Sequence, residues 1–180
     1  MSNVALLPTA GQRLAALARD DVGRTDAASF RTAGGTNWCM YYVASLLERC
    51  GLEAPGPKQP ARRGAKAGLH WIAGRGKWVC DPARARKLMT SAKLLDWREL
   101  AEQLRPGDVV AWRASLLRGD WRGHIAIVER VSLYSGSMPL VHGIGGNEGP
   151  RPGEVRQTAQ TIRQWAHKRP GGLLGIARYQ

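Results

Sequence analysis

The chain has 180 residues, 43% apolar and 23% charged, a composition typical of one globular domain with a substantial core. No run of about 18 apolar residues is present, so no membrane-spanning helix is predicted. The N-terminal residues 1–8 lack the basic start and long apolar stretch of a secretory signal, so we expect no cleaved signal peptide. The net charge of +13 and the pI near 10.6 favour a polyanionic partner: nucleic acid, an anionic membrane surface or a cell-wall polymer.

The first half of the chain is predicted to be mainly helical. Apolar residues recur at helical spacing, and from this spacing and from the capping residues we predict helices over 9–24, 39–49, around 69–72, 81–89 and 96–104. Gly23 and Gly51 are expected to end the first two helices. Proline and glycine are frequent in residues 54–68, which predicts a loop there.

The pattern changes to β after Arg105. Pro106-Gly107-Asp108 indicates a turn, and strands are predicted over 109–112, 123–131, 140–144 and 175–179. Helices followed by strands predict an α+β fold in which N-terminal helices pack on a small antiparallel sheet. Without an internal repeat or a long linker, we predict a single domain over residues 1–180, with a basic insertion at about 54–93.

The three cysteines do not form a recognisable metal or disulfide pattern. Cys39, Cys50 and Cys80 are odd in number and lack Cys-x-x-Cys spacing, so neither a zinc site nor a dense disulfide framework is predicted. Cys39 and Cys50 lie on one predicted helix, about 16 Å apart, which is too far for a disulfide. Pairing that involves Cys80 stays open.

Cys39 stands where a loop of small and polar residues changes into an apolar helical segment. The first backbone N–H groups of a helix have no internal partner and carry a partial positive charge. A thiol at this position ionises more easily, and the thiolate is the nucleophilic form. The alternative is that Cys39 is a small buried apolar residue, as free cysteines often are.

A thiol nucleophile needs a base, and His124 is the best candidate among the four histidines. It begins the clearest predicted strand, directly after Gly123, where its imidazole can take the thiol proton. His142 is a second candidate, whereas His70 and His167 lie in helical or loop contexts. The alternative for His124 is a purely structural strand histidine.

The imidazole in turn needs an orienting acceptor on its other nitrogen. The downstream polar candidates are Asn147, Glu148 and Glu129. Asn147 follows two glycines at the end of the next strand, where it could lie beside His124. Glu129 is five residues from His124 on the same strand and should face the opposite side of the sheet. The identity of the third residue stays open.

The order of these segments resembles the CHAP family (cysteine, histidine-dependent amidohydrolases/peptidases) and, more distantly, the NlpC-type cell-wall peptidases. The resemblance covers about residues 9–150 and rests on four segments: Trp38–Val43, Leu104–Val110, Gly123–Val128 and Gly145–Asn147. It implies a papain-like core with the cysteine at a helix N-terminus and the histidine on the sheet. The sequence departs from the family in the long stretch between Cys39 and His124. Gly145 also stands where many members have an acid.

The resemblance also implies residue roles. Cys39 would be the nucleophile, His124 the general base and Asn147 the orienting residue, with the backbone N–H of Cys39 in the oxyanion hole. No metal or cofactor is implied. We expect three neighbours of these residues in the sequence to contact substrate: Trp38, Gly146 and Glu148.

The implied substrates are amide bonds of peptidoglycan stems or cross-links, or glutathionylspermidine in some members. We expect a monomer that is made in the cytoplasm and acts on the cell wall after delivery. It would be a phage lysis or tail enzyme, or an injected antibacterial toxin with an immunity or delivery partner. We hypothesise that the basic segment at about 54–93, which includes Arg62, Arg63 and Lys66, forms one wall of the substrate groove and attracts anionic wall polymers. Two alternatives remain, a nucleic-acid-binding module and a non-catalytic wall-binding domain.

Overall fold

The structure of the protein is a computed structural model that describes residues 7–25, 30, 38–113, 123–133, 137–148 and 154–180, apart from the side chain of Glu148. The helices in these ranges are α1 (Ala10–Asp20), α2 (Cys39–Arg49), α3 (Pro60–Arg63), α4 (Ala65–Gly74), α5 (Pro82–Met89), α6 (Leu94–Gln103) and α7 (Ile162–Ala166). The strands are β1 (Gly76–Cys80), β2 (Val109–Arg113), β3 (Gly123–Ser132), β4 (Leu140–Glu148), β5 (Glu154–Thr161) and β6 (Leu173–Tyr179). None of the described helices has the length and apolar character that crossing a membrane requires.

All six strands join one antiparallel sheet in the order β1-β6-β2-β3-β4-β5. Because side chains alternate along a strand, the sheet has two buried faces. Val109, Ile125 and Ile127 face a core formed with α1, α2 and α4. Val110 and Ala126 face a second core formed with α5, α6 and α7. The α+β fold with an antiparallel sheet is therefore confirmed.

Two of the helices begin with the capping residues that their sequences indicate. The Thr9 hydroxyl accepts from the Gln12 N–H, and the Gln12 side chain accepts from the Thr9 N–H, which is a complete capping box at α1. The Asp81 carboxylate accepts from the N–H groups of Ala83 and Arg84, both at 2.8 Å, and Pro82 occupies the first position of α5. These contacts confirm the predicted start of α5.

The Pro106-Gly107-Asp108 turn holds β2 in register. Gly107 has a φ of 88°, and its N–H donates to the Val128 carbonyl at 2.8 Å. The Asp108 carboxylate is fully buried and accepts from the Arg178 guanidinium at 2.6 and 2.8 Å. This pair ties the turn to β6, so β2 is fixed against both of its neighbouring strands.

Several predicted boundaries need correction. The predicted loop at 54–68 contains α3 and the start of α4. Pro60 lies in the first turn of α3, where a helix needs no hydrogen bond from the backbone nitrogen. The predictions omit β1, β5 and α7. The last predicted strand, β6, lies inside the sheet between β1 and β2. The sequence of β5 is mostly polar, so it gives no alternating apolar signal.

Candidate active site

Cys39 is the first residue of α2 and lies where β3 begins. Its side chain is 4% exposed, and its thiol is hydrogen-bonded to the His124 imidazole and to the backbone N–H groups of Ile125 and Met40. The N-cap residue Trp38 makes no side-chain capping bond, so no side chain at the N-cap competes with the sulfur for the first N–H groups. The structure thus brings together the thiol and the imidazole, which are 85 positions apart in the sequence.

The pKa of the Cys39 thiol is the result of opposing effects. Burial raises it, because a thiolate loses hydration inside the protein. The hydrogen bond and the positive charge of His124 lower it, and the two backbone N–H groups lower it further. The lowering effects prevail, so the pKa of Cys39 lies below that of an ordinary thiol, as expected for a nucleophilic cysteine.

His124 is the second residue of β3 and is held by the neighbouring strand. Its side chain is 5% exposed, and its ring stacks on that of its cross-strand partner Trp112, with 5.8 Å between ring centroids. The Trp112 indole N–H donates to the Trp165 carbonyl at 2.7 Å, and the Lys168 ammonium lies 5.3 Å from the Trp112 ring centroid. The orientation of the imidazole therefore depends on β2, on α7 and on Lys168, which follows α7.

Gly123 allows the close approach of strands beside His124. A Cβ at this position would lie 2.4 Å from the Trp112 carbonyl oxygen, which is closer than atoms can approach, and 3.3 Å from the Ala65 Cβ. A side chain at Gly123 would therefore push β3 away from β2 and from the first residue of α4. Packing therefore favours glycine at the position directly before His124.

Asn147 lies near the end of β4, the strand next to β3. It is half-buried and has a φ of 62°, a left-handed conformation that asparagine tolerates better than most residues. The β3–β4 register pairs Ile127 with Ile144. Asn147 lies three residues beyond this pair, in a stretch of β4 that is irregular between Gly145 and Glu148.

The model of the CHAP domain family matches residues 31–144, which is more than half of the chain. The chain belongs to the CHAP family. CHAP domains are cysteine/histidine-dependent amidohydrolase/peptidase domains, and the α+β architecture is consistent with a papain-like core. No curated protein and no solved structure matches the chain.

The CHAP match contains both Cys39 and His124 and ends three residues before Asn147. It also ends before Trp165 and Lys168, which contact Trp112. The sequence analysis did not predict the contacts that Trp165 and Lys168 make with Trp112. Trp112 was assigned to a predicted strand, but its pairing with His124 follows from a strand register that spacing along the chain does not specify.

Two of the expected substrate contacts have a packing role in the structure. Trp38 is fully buried, stacks on Phe30 and meets Tyr42 edge-on. Gly146 is buried against them, because a Cβ there would lie 2.4 Å from the Trp38 ring. Both residues are buried in the structure, and their contact with a substrate stays a prediction. The backbone of Glu148 pairs with Glu154, while its side chain lies outside the described part of the structure.

The other polar candidates have partners elsewhere in the structure. The Glu129 carboxylate is buried, pairs with Arg19 at 2.7 Å and accepts from the Gln157 amide. Its position five residues along β3 from His124 corresponds to about 16 Å. The His142 ring nitrogen Nε2 lies 3.3 Å from the Ser132 hydroxyl. Among the candidate bases, His124 is the one that the structure places at Cys39.

His70 and His167 also have other surroundings. The His70 ring meets the Trp78 ring edge-on at 5.2 Å, and His167 Nδ1 lies 2.8 Å from the Arg163 carbonyl oxygen. In the described ranges, no three histidine, cysteine or acidic side chains are grouped so that they could hold a metal ion.

The two remaining cysteines are free thiols, which answers the open question of their pairing. Burial raises the pKa of Cys50, although Arg13 and Arg49 oppose this effect. Burial raises the pKa of Cys80 to about 11. Neither thiol has the activated character of Cys39.

Arg62 does not belong to an exposed basic wall, contrary to the hypothesis. Its side chain is buried, and its guanidinium pairs with Glu48 and donates to the Pro55 carbonyl at 2.9 Å. Arg63 and Lys66 are exposed as expected. The difference follows from helical geometry, because adjacent residues on a short helix project about 100° apart.

Proposed function

We propose that this CHAP domain is a peptidoglycan hydrolase, an amidase or endopeptidase that cleaves amide bonds through a thioester intermediate. The observation that carries the proposal is the contact between Cys39 and His124 at the start of α2, together with the lowered pKa of the thiol. Family membership supports the substrate class, since the CHAP domain is an amidohydrolase/peptidase domain.

In the proposed reaction, the Cys39 thiolate attacks the carbonyl carbon of the amide, and the carbonyl electron pair moves to oxygen. The backbone N–H of Cys39 has no partner within the helix and is suited to stabilise this oxyanion. The His124 imidazolium then gives its proton to the leaving amine, and the C–N bond breaks to leave a thioester. Water, losing a proton to His124, attacks the thioester, which releases the carboxylic acid and regenerates the thiolate.

Asn147 is our proposal for the residue that orients His124. It is supported by the half-buried, left-handed position of Asn147 near the end of β4, the strand that pairs with β3. A side-chain amide oxygen can accept a hydrogen bond from the second imidazole nitrogen and hold the ring in one tautomer. Glu148, the next residue, is the alternative.

For the biological setting, we propose a monomer that reaches the cell wall by delivery from the cytoplasm, as a phage lysis or tail enzyme or as an injected antibacterial toxin. The high positive charge of +13 supports a negatively charged target. Neighbouring genes for a holin, tail proteins or an immunity protein would distinguish these settings.

The proposal is tested by mass spectrometry of purified sacculi after incubation with the protein. We expect new pairs of amine and carboxyl ends at one kind of amide bond, which also identifies that bond. The Cys39→Ala variant is the control and should produce none of these ends while still folding. Identical product spectra for the two proteins would contradict hydrolysis by Cys39.

A further inference from the structure

A groove with cationic side chains lies along the exposed side of α3 and α4. It has a volume of about 470 Å³, within the range of small-molecule binding sites. The groove is formed by α3, α4 and the residues just before them. We call it the cationic groove, and define it by Lys58, Pro60, Arg63, Gly64, Lys66 and His70.

One end of the cationic groove adjoins the proposed catalytic residues. Gly64 is the N-cap of α4, and the next residue, Ala65, packs against Gly123, which directly precedes His124. One turn later, Gly68 lies against the side chain of Met40, which directly follows Cys39. The helix that lines the groove therefore contacts, through its buried residues Ala65 and Gly68, the chain next to His124 and next to Cys39.

The charges in the cationic groove are not neutralised within the described part of the structure. Arg62 and Arg75, from the same basic segment, are paired with Glu48 and Glu53. In contrast, none of the ion pairs among the described residues involves the exposed cations of the groove, which are Lys58, Arg63 and Lys66. These cations remain available to an anionic ligand.

The start of α4 adds to this positive potential. Gly64 provides no side-chain cap, and the first turn contains no acidic residue. The unpaired N–H groups at the start of this ten-residue helix therefore carry their partial positive charge beside Lys66. The helix terminus supports the side-chain cations that define the groove.

We propose that the cationic groove binds a carboxylate on the peptide whose amide bond Cys39 attacks. This inference rests on the proposed function. Peptidoglycan stem peptides bear free carboxylates, and a groove that adjoins His124 is within reach of groups near the scissile bond. A phosphate of a separate wall polymer would carry the same charge, but its position would not be tied to the reacting amide. The groove thus selects acidic stem peptides and contributes to KM.

The test compares the double variant Arg63→Gln/Lys66→Gln with the wild type on two soluble substrates. These are disaccharide-peptides released from sacculi by a muramidase, either with free carboxylates or after conversion of the carboxylates to methylamides. We expect KM for the free-carboxylate substrate to rise about tenfold in the variant, with kcat within about twofold. KM for the methylamide substrate should be the same in both proteins.

The matched control is Arg86→Gln/Lys87→Gln, which removes the same charge from exposed positions on α5, across the sheet. This variant should keep the wild-type KM on both substrates. An equal rise in KM for the control, or for the methylamide substrate, would overturn the proposal in favour of general charge attraction. An unchanged KM, with altered binding only to sacculi that retain phosphate polymers, would also overturn it.

The proposed function and the groove can fail separately. If the wild type cleaves peptidoglycan but groove substitutions leave KM unchanged, hydrolysis stands and the groove proposal falls. A direct binding measurement in the Cys39→Ala background tests the groove without turnover. There, Arg63→Gln/Lys66→Gln should weaken the Kd for the free-carboxylate substrate about tenfold. If this weakening occurs but the wild type cleaves nothing, hydrolysis is the proposal that falls.

Discussion

Cys39 and Cys80 are two buried thiols whose pKa values are shifted in opposite directions. Their side chains are 4% and 1% exposed, respectively. Burial raises the pKa of Cys80 to about 11, and the charge of Arg84 offsets this only in part. The pKa of Cys39 is lowered, because His124 and two backbone N–H groups outweigh the effect of burial. Burial alone makes a thiol inert, and the local partners decide whether it becomes a nucleophile.

The helices that follow the two cysteines explain part of this difference. Cys80 precedes α5, whose first free N–H groups are already bound by the Asp81 carboxylate. The nearby negative charge of Asp81 also raises the pKa of Cys80. Cys39 begins α2, whose N-cap Trp38 binds none of these groups with its side chain, so the Met40 N–H can bind the sulfur. A capped and an uncapped helix start thus have opposite effects on a neighbouring thiol.

The largest expected effect is on turnover. Cys39→Ala should lower kcat/KM for peptidoglycan by about 10⁴-fold or more, because it removes the proposed nucleophile. Cys80→Ala should stay within about threefold of the wild type, because Cys80 has no base partner among the described contacts. Turnover of sacculi, with circular dichroism to verify folding, measures both. Similar losses in the two variants would break the distinction between the thiols.

Removing the base should make Cys39 resemble Cys80. In His124→Gln, burial of Cys39 remains while the imidazolium charge is lost, so the pKa of the thiol should rise. We expect turnover to fall about 10³-fold and the alkylation rate of Cys39 by iodoacetamide at pH 7 to fall about 100-fold. Mass spectrometry of the alkylated peptides gives the rate for each cysteine. His142→Gln is the matched control and should leave both rates unchanged.

A smaller effect is expected at Asn147, which would show whether activation of Cys39 needs a third residue. Asn147→Gly removes the side-chain amide and keeps a backbone that tolerates a φ of 62°. We expect kcat to fall by about 10- to 100-fold with little change in thermal stability. Asn147→Ala should lose about 1 kcal/mol of stability in addition, because of left-handed strain. Wild-type kcat in Asn147→Gly would assign the orienting role elsewhere.

The smallest effect is on stability at alkaline pH. The contributions of the two thiols to the free energy of unfolding should change with pH in opposite directions. The pKa of Cys80 is raised by folding, so its stabilising contribution is present below the ordinary thiol pKa and is lost between about 9 and 11. Over this range, the wild type should lose about 2 kcal/mol more unfolding free energy than Cys80→Ala. Urea unfolding at both ends of the range measures the difference.

Cys39 should show the reverse dependence. Folding lowers its pKa, so its contribution is present above the ordinary thiol pKa and declines as the pH falls through the folded-state value. The difference in the free energy of unfolding between the wild type and Cys39→Ala should therefore become smaller as the pH is lowered. Parallel stability curves for the wild type and both variants would contradict the assigned pKa directions.

Local signals in the sequence predicted the elements that bear the proposed nucleophile and base. The start of α2 at Cys39 and the start of β3 at Gly123 agree with the structure, because a change from polar to apolar periodicity marks both. The local signals did not predict the polar edge strand β5 or the position of β6 next to β2 in the sheet. Their pairing depends on partners far along the chain, for which local periodicity carries no information.

The amino-acid sequence by itself determined the composition of the site: a thiol at an uncapped helix start, a histidine after the glycine that begins a strand, and an order of motifs that matches the CHAP family. The tertiary structure alone decided which groups meet. It placed His124 against Cys39 and Trp112, turned Trp38 and Arg62 into buried packing residues, and left Arg63 and Lys66 exposed. The physical reason is that hydrogen bonds and charges act over a few ångströms, and only strand pairing and helix packing set distances on that scale between residues so far apart in the chain.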